Sequence, residues 1–531
     1  MKALLLNPSF PPSFWSLKET CRVDGTKGLA PPLGLITMAA LLPPEWELRL
    51  VDLNVRTLPA GAWDWADLVM VSGMLVQREG LLSLVREAKA RGKTVVAGGP
   101  YATSLPQEVL DAGADFLFRG EAENTMPLFL AALTAGESRG VFQADAKPEM
   151  SDSPPPRFDI LDLEDYTVMS IQTSRGCPYD CEFCDVVNLY GRKPRYKKPE
   201  QVLAELEALY RLGWRRAVFI SDDNFIGNRQ HALAILEQLT PWMKSHGEPY
   251  GFWTQASLNL GQDLELIDRM TAANFSYIFV GVESTDAASL GLSRKYHNLR
   301  NPLAESLKNI NKNGLSVVAS FIIGFDGEEK GAGERICAFV EENHIPVVMV
   351  NLLQAAPQTS LWRRLKEEGR LLEGTLETGD LSGKGMNFIP TRAAEEIMEE
   401  YLQATARLCE PTAFLQRAFR AILHMRPTRR ALGIEENRSA ASPPPASSQR
   451  IIKVNGFMGL LRLIWRQGMR APYRGQFWRQ LAAVIHRNPS RKVRYLSYCG
   501  LGETLFAYPG LVRKNLASAR EDRPSARQDA V

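Results

Sequence analysis

The chain has 531 residues, of which 45% are hydrophobic and 23% charged, with a formal net charge of +3. At roughly 100 to 200 residues per domain, this length predicts two to four domains, and the ordinary composition excludes a chain that is disordered throughout. Because the charge is nearly balanced, an electrostatic partner has to be sought in local clusters rather than in the total.

Over residues 1–145, short apolar runs alternate with longer amphipathic stretches, which predicts a doubly wound, Rossmann-like parallel sheet. The runs end in polar or glycine residues. Those at four run ends are Asn7, Asp52, Ser72 and the pair Gly98 and Gly99. Such sheets bind ligands at the carboxyl ends of their strands, so this edge is a predicted binding site. No nucleotide-binding glycine motif occurs in the stretch.

A proline-rich stretch predicts a linker over 146–165, after which the alternation resumes. Six further strand signals, from "TVMSIQTS" to "IPVVMVNLLQ", predict a partial (β/α)6 barrel over 166–391, with catalytic groups at the strand ends. Helical periodicity dominates from 392 to 531, interrupted by a low-complexity linker over 436–450, and the last twenty residues are typical of a solvated tail.

No apolar run reaches the roughly 18 residues of a membrane span, and the first run is too short for a signal peptide, so we expect a cytoplasmic protein. The seven cysteines are an odd number, which favours free thiols or metal ligation over disulfides. Four are isolated, and we expect them to be buried as small apolar side chains: Cys21, Cys337, Cys409 and Cys499.

The remaining cysteines, Cys177, Cys181 and Cys184, have the spacing C-x3-C-x2-C. Zinc sites usually have four ligands in other spacings, and the nearest histidine in the sequence is His231. Three thiolates on an iron–sulfur cluster would leave one iron open to a substrate or cofactor. The segment follows an apolar run, so we expect it at the carboxyl end of a barrel strand.

With Phe183 at the aromatic position, this segment resembles the C-x3-C-x-aromatic-C signature of the radical S-adenosylmethionine enzymes, and the resemblance covers about residues 167–365. It implies a [4Fe-4S] cluster whose open iron binds S-adenosyl-L-methionine, a radical formed by reductive cleavage, and an electron donor such as flavodoxin or ferredoxin. It also implies cofactor contacts at Asp222, Asp223, Gln255, Ser257 and Glu283. The glycines that the family usually has near the first two of these residues are missing here.

The first domain resembles the cobalamin-binding domain that precedes many such barrels. The resemblance implies cobalamin contacts at Asp52, Asn54, Ser72, Gly98 and Gly99. In the typical motif a histidine ligates cobalt, but this chain has Asn54 there and Thr57 in place of a glycine. Because an amide is a poor cobalt ligand, we expect a lower face without a protein nitrogen donor, or a domain that has lost its cofactor.

Between Ile451 and Gly510, lysines, arginines and aromatic residues are frequent and Glu503 is the only acid. The stretch "FMGLLRLIWRQGMR" could place apolar residues and arginines on different helix faces, as in helices that lie on anionic membranes at the inner face. A helical cap on the barrel with a solvated basic face is the favoured interpretation, membrane or lipid contact comes second, and nucleic acid is the least favoured partner.

The whole chain resembles a subgroup of cobalamin-binding radical S-adenosylmethionine proteins that includes the hopanoid methylases. The resemblance implies a C-methyltransferase acting on an unactivated carbon of a hopanoid, another lipid or a small molecule. Two alternatives remain open: a radical enzyme that catalyses a cyclisation, oxidation or rearrangement without methylation, and a non-catalytic iron–sulfur or cobalamin sensor.

Overall fold

The structure is a computed structural model, and it describes residues 1–372, 385–434 and 456–521. The predicted linker over 436–450 and the last ten residues lie outside these ranges. The solvated tail expected from residue 512 is wrong for its first part, because residues up to Glu521 belong to a helix and Val512 is fully buried.

The first sheet has six parallel strands in the order β2-β1-β3-β4-β5-β6, with helices on both faces, as the alternating pattern predicted. The last strand was not predicted, because every second residue in it is exposed. The strands are β1 Lys2–Asn7, β2 Glu47–Asp52, β3 Leu68–Ser72, β4 Thr94–Gly98, β5 Phe116–Arg119 and β6 Gly140–Gln143. The α-helices are Lys18–Asp24, Leu33–Ala39, Ala62–Trp65, Arg78–Ala90, Gly99–Ser104, Pro106–Asp111 and Ala122–Thr134.

The second sheet is an open barrel of six parallel strands in the order β14-β13-β12-β11-β10-β7, and a short antiparallel ribbon, β8 with β9, follows its first strand. The strands are β7 Met169–Ile171, β8 Ser174–Arg175, β9 Arg195–Tyr196, β10 Val218–Ile220, β11 Phe252–Gln255, β12 Phe275–Glu283, β13 Ser316–Ile323 and β14 Val347–Leu352. The α-helices are Val186–Tyr190, Pro199–Arg211, Arg229–Ser245, Leu264–Ala272, Ala287–Leu292, Tyr296–Leu299, Leu303–Lys312, Ala332–Glu342 and Ser360–Glu367.

The carboxyl-terminal region is helical, as expected. Its helices are Ala394–Leu408, Pro411–His424, 456–463 continuing as the π-helix Ile464–Arg470, Arg474–Arg487 and Lys492–Glu521. Short 3-10 turns connect elements throughout: Phe14–Ser16, Leu75–Gln77, Met150–Asp152, Phe158–Ile160, Leu163–Asp165, Leu258–Gln262 and Pro489–Arg491. No helix in the described ranges combines the length and the apolar composition that crossing a bilayer requires.

The last helix, Lys492–Glu521, joins the three regions. Near its start, Arg494 donates to Ser316 Oγ (2.9 Å), where β13 begins, and Tyr498 packs against Tyr277 of β12. Further along, Tyr508 packs edge-on against Phe14 of the first region, with 5.7 Å between ring centroids. One apolar core therefore contains side chains from the first region, the barrel and the last helix.

Candidate active site

The three cysteines lie where expected, beyond the carboxyl end of β7 and directly after ribbon strand β8. All three are free thiols and half-buried. The chain turns into the segment at Gly176, whose φ of +97° disfavours any side chain. A Cβ there would also lie 2.9 Å from the carbonyl oxygen of Gly191. A glycine is therefore required for the entry to the cysteine segment.

Two adjacent carboxylates, Asp222 and Asp223, accept hydrogen bonds from the start of this segment. Asp222 is fully buried and accepts from the backbone N–H groups of Thr173 (2.6 Å) and Ser174 (3.0 Å) and from the hydroxyl of Ser174 (2.8 Å). Asp223 accepts from the N–H of Gly176 (2.8 Å), and burial raises the pKa of its carboxyl to about 6. The structure thus places both residues against the cysteine segment, which gives them a means of positioning it.

The three thiols are a donor set that an iron–sulfur cluster takes. Burial raises the pKa of Cys177, that of Cys181 to about 11, and that of Cys184 furthest. Within the ranges that the structure describes, no three His, Cys, Asp or Glu side chains approach closely enough to hold one metal ion. A cubane binds each thiolate on a different iron, so its ligands are spread more widely.

Beside the cysteines, Glu283 at the end of β12 forms a buried ion pair with Lys295. The Lys295 ammonium lies 5.9 Å from the centroid of the Phe183 ring, and its positive charge opposes the rise in the pKa of Cys181. Phe183 in turn packs edge-on against Phe325, which follows β13. The signature aromatic and the predicted Glu283 thus lie in one cluster with a cation that the sequence did not single out.

The other predicted barrel residues lie at the end of β11. Ser257 shares hydrogen bonds with Asn224: its hydroxyl accepts from the Asn224 amide (3.1 Å), and its backbone N–H donates to the Asn224 oxygen (3.2 Å). Gln255 is half-exposed on the same strand end, and its carbonyl accepts from the N–H of Phe225 (3.0 Å). Their cofactor contacts stay predictions.

At the carboxyl edge of the first sheet, Asp52 and Asn54 belong to a closed hydrogen-bond network. The Asn54 amide donates to Asp52 Oδ1 (2.7 Å) and to the carbonyl of Pro8 (3.2 Å), and its oxygen accepts from the N–H of Phe10 (2.7 Å). Asp52 also accepts from Tyr166 Oη (3.0 Å). Asn54 therefore holds the loop after β1, and the lone pair of its amide nitrogen is delocalised into the carbonyl, which makes it a poor metal ligand.

The remaining predicted residues of this edge, Ser72, Gly98 and Gly99, lie at the ends of the neighbouring strands β3 and β4. A Cβ on Gly99, whose φ is +90°, would lie 3.1 Å from the carbonyl of Gly73 and closer still to the Ser72 hydroxyl. Phe10 and Met74 expose their side chains here. Glycine is therefore required at 99 for packing against the end of β3, and the exposed apolar groups at the edge of such a sheet suit a large planar cofactor.

The two sheet edges are joined directly. Glu121, which follows β5, accepts from Arg175 (2.7 Å) and from both terminal nitrogens of Arg195 (3.0 and 2.7 Å), and all three side chains are nearly fully buried. A cavity of about 320 Å³ lies beside this contact, and its walls include Arg119 of the first domain, Lys147 of the linker and Arg363 of the barrel domain. The carboxyl edge of the first sheet is therefore fixed next to the ribbon of β8 and β9 and the cysteine segment that follows β8.

Several of these residues could not be found by motif. Lys295, Glu121, Arg195 and Tyr166 occur in no signature, and each acquires its role from a partner distant in the sequence. Asn7 was noted only as a run end, although its amide donates to Asp52 (2.8 Å). The one signal in the sequence was that buried charges would need partners of opposite sign.

Three family models match separate parts of the chain. The B12 binding domain matches residues 20–130, the Radical SAM superfamily matches 171–340, and a domain of unknown function (DUF4070) matches 359–518. The first two spans fall inside the predicted regions 1–145 and 166–391, whereas the third begins at 359, before the predicted boundary at 391. The exact domain boundaries at 145, 165 and 391 stay predictions.

Curated relatives cover nearly the whole chain. An uncharacterized methyltransferase (sll1242) from Synechocystis sp. is 45% identical, covering 99% of this chain and 96% of the relative. The hopanoid C-2 methylase of Rhodopseudomonas palustris is 35% identical, covering 90% of this chain and 88% of the relative.

Two solved structures share the fold. The cobalamin-dependent S-adenosylmethionine radical enzyme OxsB, with aqua-cobalamin and S-adenosylmethionine bound, has a TM-score of 0.57 at 15% identity, covering 98% of this chain and 80% of that chain. The radical S-adenosylmethionine methyltransferase TsrM from Kitasatospora setae, with cobalamin and a [4Fe-4S] cluster bound, has a TM-score of 0.53 at 16% identity, covering 86% and 99%. At these identities the likeness concerns the fold.

Proposed function

Because this chain belongs to the cobalamin-binding radical S-adenosylmethionine enzymes, the family that includes the hopanoid methylases, we propose that it methylates an unactivated carbon of a lipid such as a hopanoid. The family brings three cofactors: a [4Fe-4S] cluster, S-adenosyl-L-methionine and cobalamin. The observation that carries the proposal is the buried contact of Glu121 with Arg175 and Arg195, since it holds the predicted cobalamin edge beside the cysteines.

When bound, the cluster and S-adenosyl-L-methionine supply a carbon radical, and cobalamin supplies the methyl group. The chain's own residues orient these groups and exclude water from them. Cys177, Cys181 and Cys184 would hold the cluster, and Asp222 and Asp223 position their segment.

The lipid substrate is supported by aromatic side chains on β11 and β12 of the barrel, one of which meets the first region. Trp15 is partly exposed, and its ring centroid lies 5.4 Å from that of Phe279 on β12, the strand that ends at Glu283. The ring centroids of Trp253 on β11 and Tyr277 on β12 lie 4.8 Å apart. Apolar rings of this kind suit a hydrocarbon skeleton and keep water away from a radical.

The test is an anaerobic assay of reconstituted protein with trideuteromethyl-labelled S-adenosyl-L-methionine, a reductant such as flavodoxin or ferredoxin, and hopanoids or a lipid extract. We expect 5′-deoxyadenosine together with a lipid that carries the labelled methyl group. Cys177→Ala should abolish both products, whereas Cys337→Ala, which alters a buried isolated thiol, should retain them.

The other outcomes separate the alternatives. 5′-Deoxyadenosine with a changed lipid that lacks the label would replace methyl transfer by a cyclisation, oxidation or rearrangement. Cluster binding without any 5′-deoxyadenosine would favour a sensor. Labelled product on a small molecule but on no lipid would leave the chemistry standing and overturn the lipid substrate.

A further inference from the structure

A large share of the exposed apolar side chains is concentrated on one surface. Of the 23 large apolar side chains exposed in the described ranges, nine lie between residues 457 and 493. Four of them recur every fourth residue along 456–463 and the π-helix that continues it, and so share one face: Phe457, Leu461, Trp465 and Met469. Trp465 is 62% exposed and Met469 58%. The opposite face is buried through Leu463 and Gln467.

The next helix, Arg474–Arg487, extends this surface. Trp478 and Ile485 are exposed on it, and the Trp478 indole donates to the carbonyl of Gly468 (2.8 Å). A Cβ on Gly468 would lie 2.9 Å from the Trp478 ring, so the glycine allows the two helices to approach closely. We call the exposed side of residues 456–493 the docking surface.

Positive charge surrounds these apolar side chains. Besides Arg462, the exposed arginines and lysines within the docking surface are Arg470, Arg474, Arg479, Arg487 and Lys492. None of the five has an ion-pair partner among the residues described, and residues 456–502 contain no acid. Exposed aromatic and apolar groups beside unpaired cations are the composition of surfaces that insert at an anionic bilayer interface.

We propose that the docking surface binds the interface of a bilayer containing anionic lipids. It is firmly attached to the rest of the protein, because Arg466 pairs with Glu19 (2.9 Å) and Arg462 donates to the carbonyl of Val23 (3.1 Å). Both partners belong to helix Lys18–Asp24, which follows the turn that carries Trp15. The docked protein would thus hold the Trp15 and Phe279 contact near the bilayer. The proposal concerns docking and does not depend on the reaction proposed above.

The test is co-sedimentation of the full chain with vesicles, without S-adenosyl-L-methionine or reductant. Vesicles of phosphatidylcholine with phosphatidylglycerol should bind the protein at least tenfold more strongly than pure phosphatidylcholine. The double variant Trp465→Ser/Met469→Ser should lose at least tenfold in binding. The matched control Leu212→Ser/Leu264→Ser replaces two leucines exposed on barrel elements (43% and 52%) and should bind like the parent chain.

Charge supplies a second measurement. Arg470→Gln and Arg474→Gln should each lower binding about fivefold at low salt, since one basic residue near an anionic surface contributes about 1 kcal/mol. Binding that is equal for both vesicle types, or that survives in Trp465→Ser/Met469→Ser, would overturn the proposal. So would a dimer of the free protein that this variant dissociates without any vesicle binding, because a second copy would then cover the surface. Failure of the methylation assay would leave these results unaffected.

Discussion

The cluster of Glu283, Lys295 and Phe183 depends on one small residue. Gly281 lies two positions before Glu283 on β12, and a Cβ on it would lie 2.8 Å from Lys295 Nζ and closer still to the Glu283 carboxylate. Glu283 itself adopts a φ of +66°, which is uncommon for a residue with a side chain. The missing side chain at 281 is therefore what admits the buried ion pair beside the cysteines.

We expect Gly281→Ala to lower the free energy of unfolding by roughly 1–3 kcal/mol, because the methyl group displaces a buried charge pair. Urea denaturation measures the change. Gly510→Ala is the control, since nothing lies within 4 Å of a Cβ at that exposed helical position. It should raise stability by up to about 1 kcal/mol. An unchanged midpoint in Gly281→Ala would contradict the steric account.

The buried carboxyl group of Glu328 should make the stability of the protein depend on pH. Burial raises the pKa of Glu328 from 4.5 to about 7, even though the carboxylate accepts from the N–H of Gly324 (2.8 Å). Between these two values the folded chain holds a proton that the unfolded chain releases, so the contribution of Glu328 to stability falls as pH rises through this window. Glu328→Gln should remove this fall, as urea midpoints measured across the window would show. Parallel curves for the two proteins would contradict it.

At the scale of elements, strand ends from both sheets hold the ribbon of β8 and β9 and the cysteine segment that follows β8. The end of β10 supports it through Asp222 and Asp223, and the end of β5 in the other domain supports it through Glu121. Buried carboxylates are stable only when hydrogen-bonded or paired, so each of these contacts is obligatory once its element packs. Strand ends from two sheets therefore define where the thiols lie.

Glu121→Gln should destabilise the protein by about 3–5 kcal/mol, because it leaves the buried guanidinium group of Arg195 without a full counter-charge, whereas Arg175 keeps its ion pair with Glu123 (2.9 Å). Glu87→Gln breaks an exposed helical pair with Arg91 (3.0 Å) and should cost less than about 1 kcal/mol. Thermal unfolding of the three proteins gives the comparison. Equal losses in both variants would show that the buried contact does not hold the domains together.

Among the described residues, the largest apolar core is shared by all three regions, and the two faces of the first sheet have further cores of their own. Phe14 from the first region, Tyr277 from the barrel and Tyr508 from the last helix belong to the same apolar cluster. Shared burial couples the stability of its parts, since no part can unfold without exposing its neighbour's apolar surface.

We therefore expect a single cooperative unfolding transition in urea, with tryptophan fluorescence and far-ultraviolet circular dichroism changing at the same midpoint. Truncation before Lys492 should lower that midpoint and separate the two probes, because it uncovers Phe14 and Tyr277. Separate transitions in the full chain would show instead that the regions unfold independently.

Local patterns predicted both sheets, since alternating apolar runs and amphipathic stretches are properties of consecutive residues. They missed β6, whose alternate residues are exposed, and the ribbon of β8 and β9, whose two-residue strands are too short to form a pattern. The isolated cysteines Cys21, Cys337, Cys409 and Cys499 are buried, as expected.

The sequence by itself determined the two parallel sheets, the thiol trio and the family, because spacing and periodicity are written in neighbouring residues. Only the tertiary structure decided that Asn54 holds a loop, that Asp222 supports the cysteines, and that Lys295 lies beside Phe183. These roles depend on partners that are distant in the sequence. A buried charge or amide needs a partner, and only the folded chain shows which residue lies close enough to be that partner.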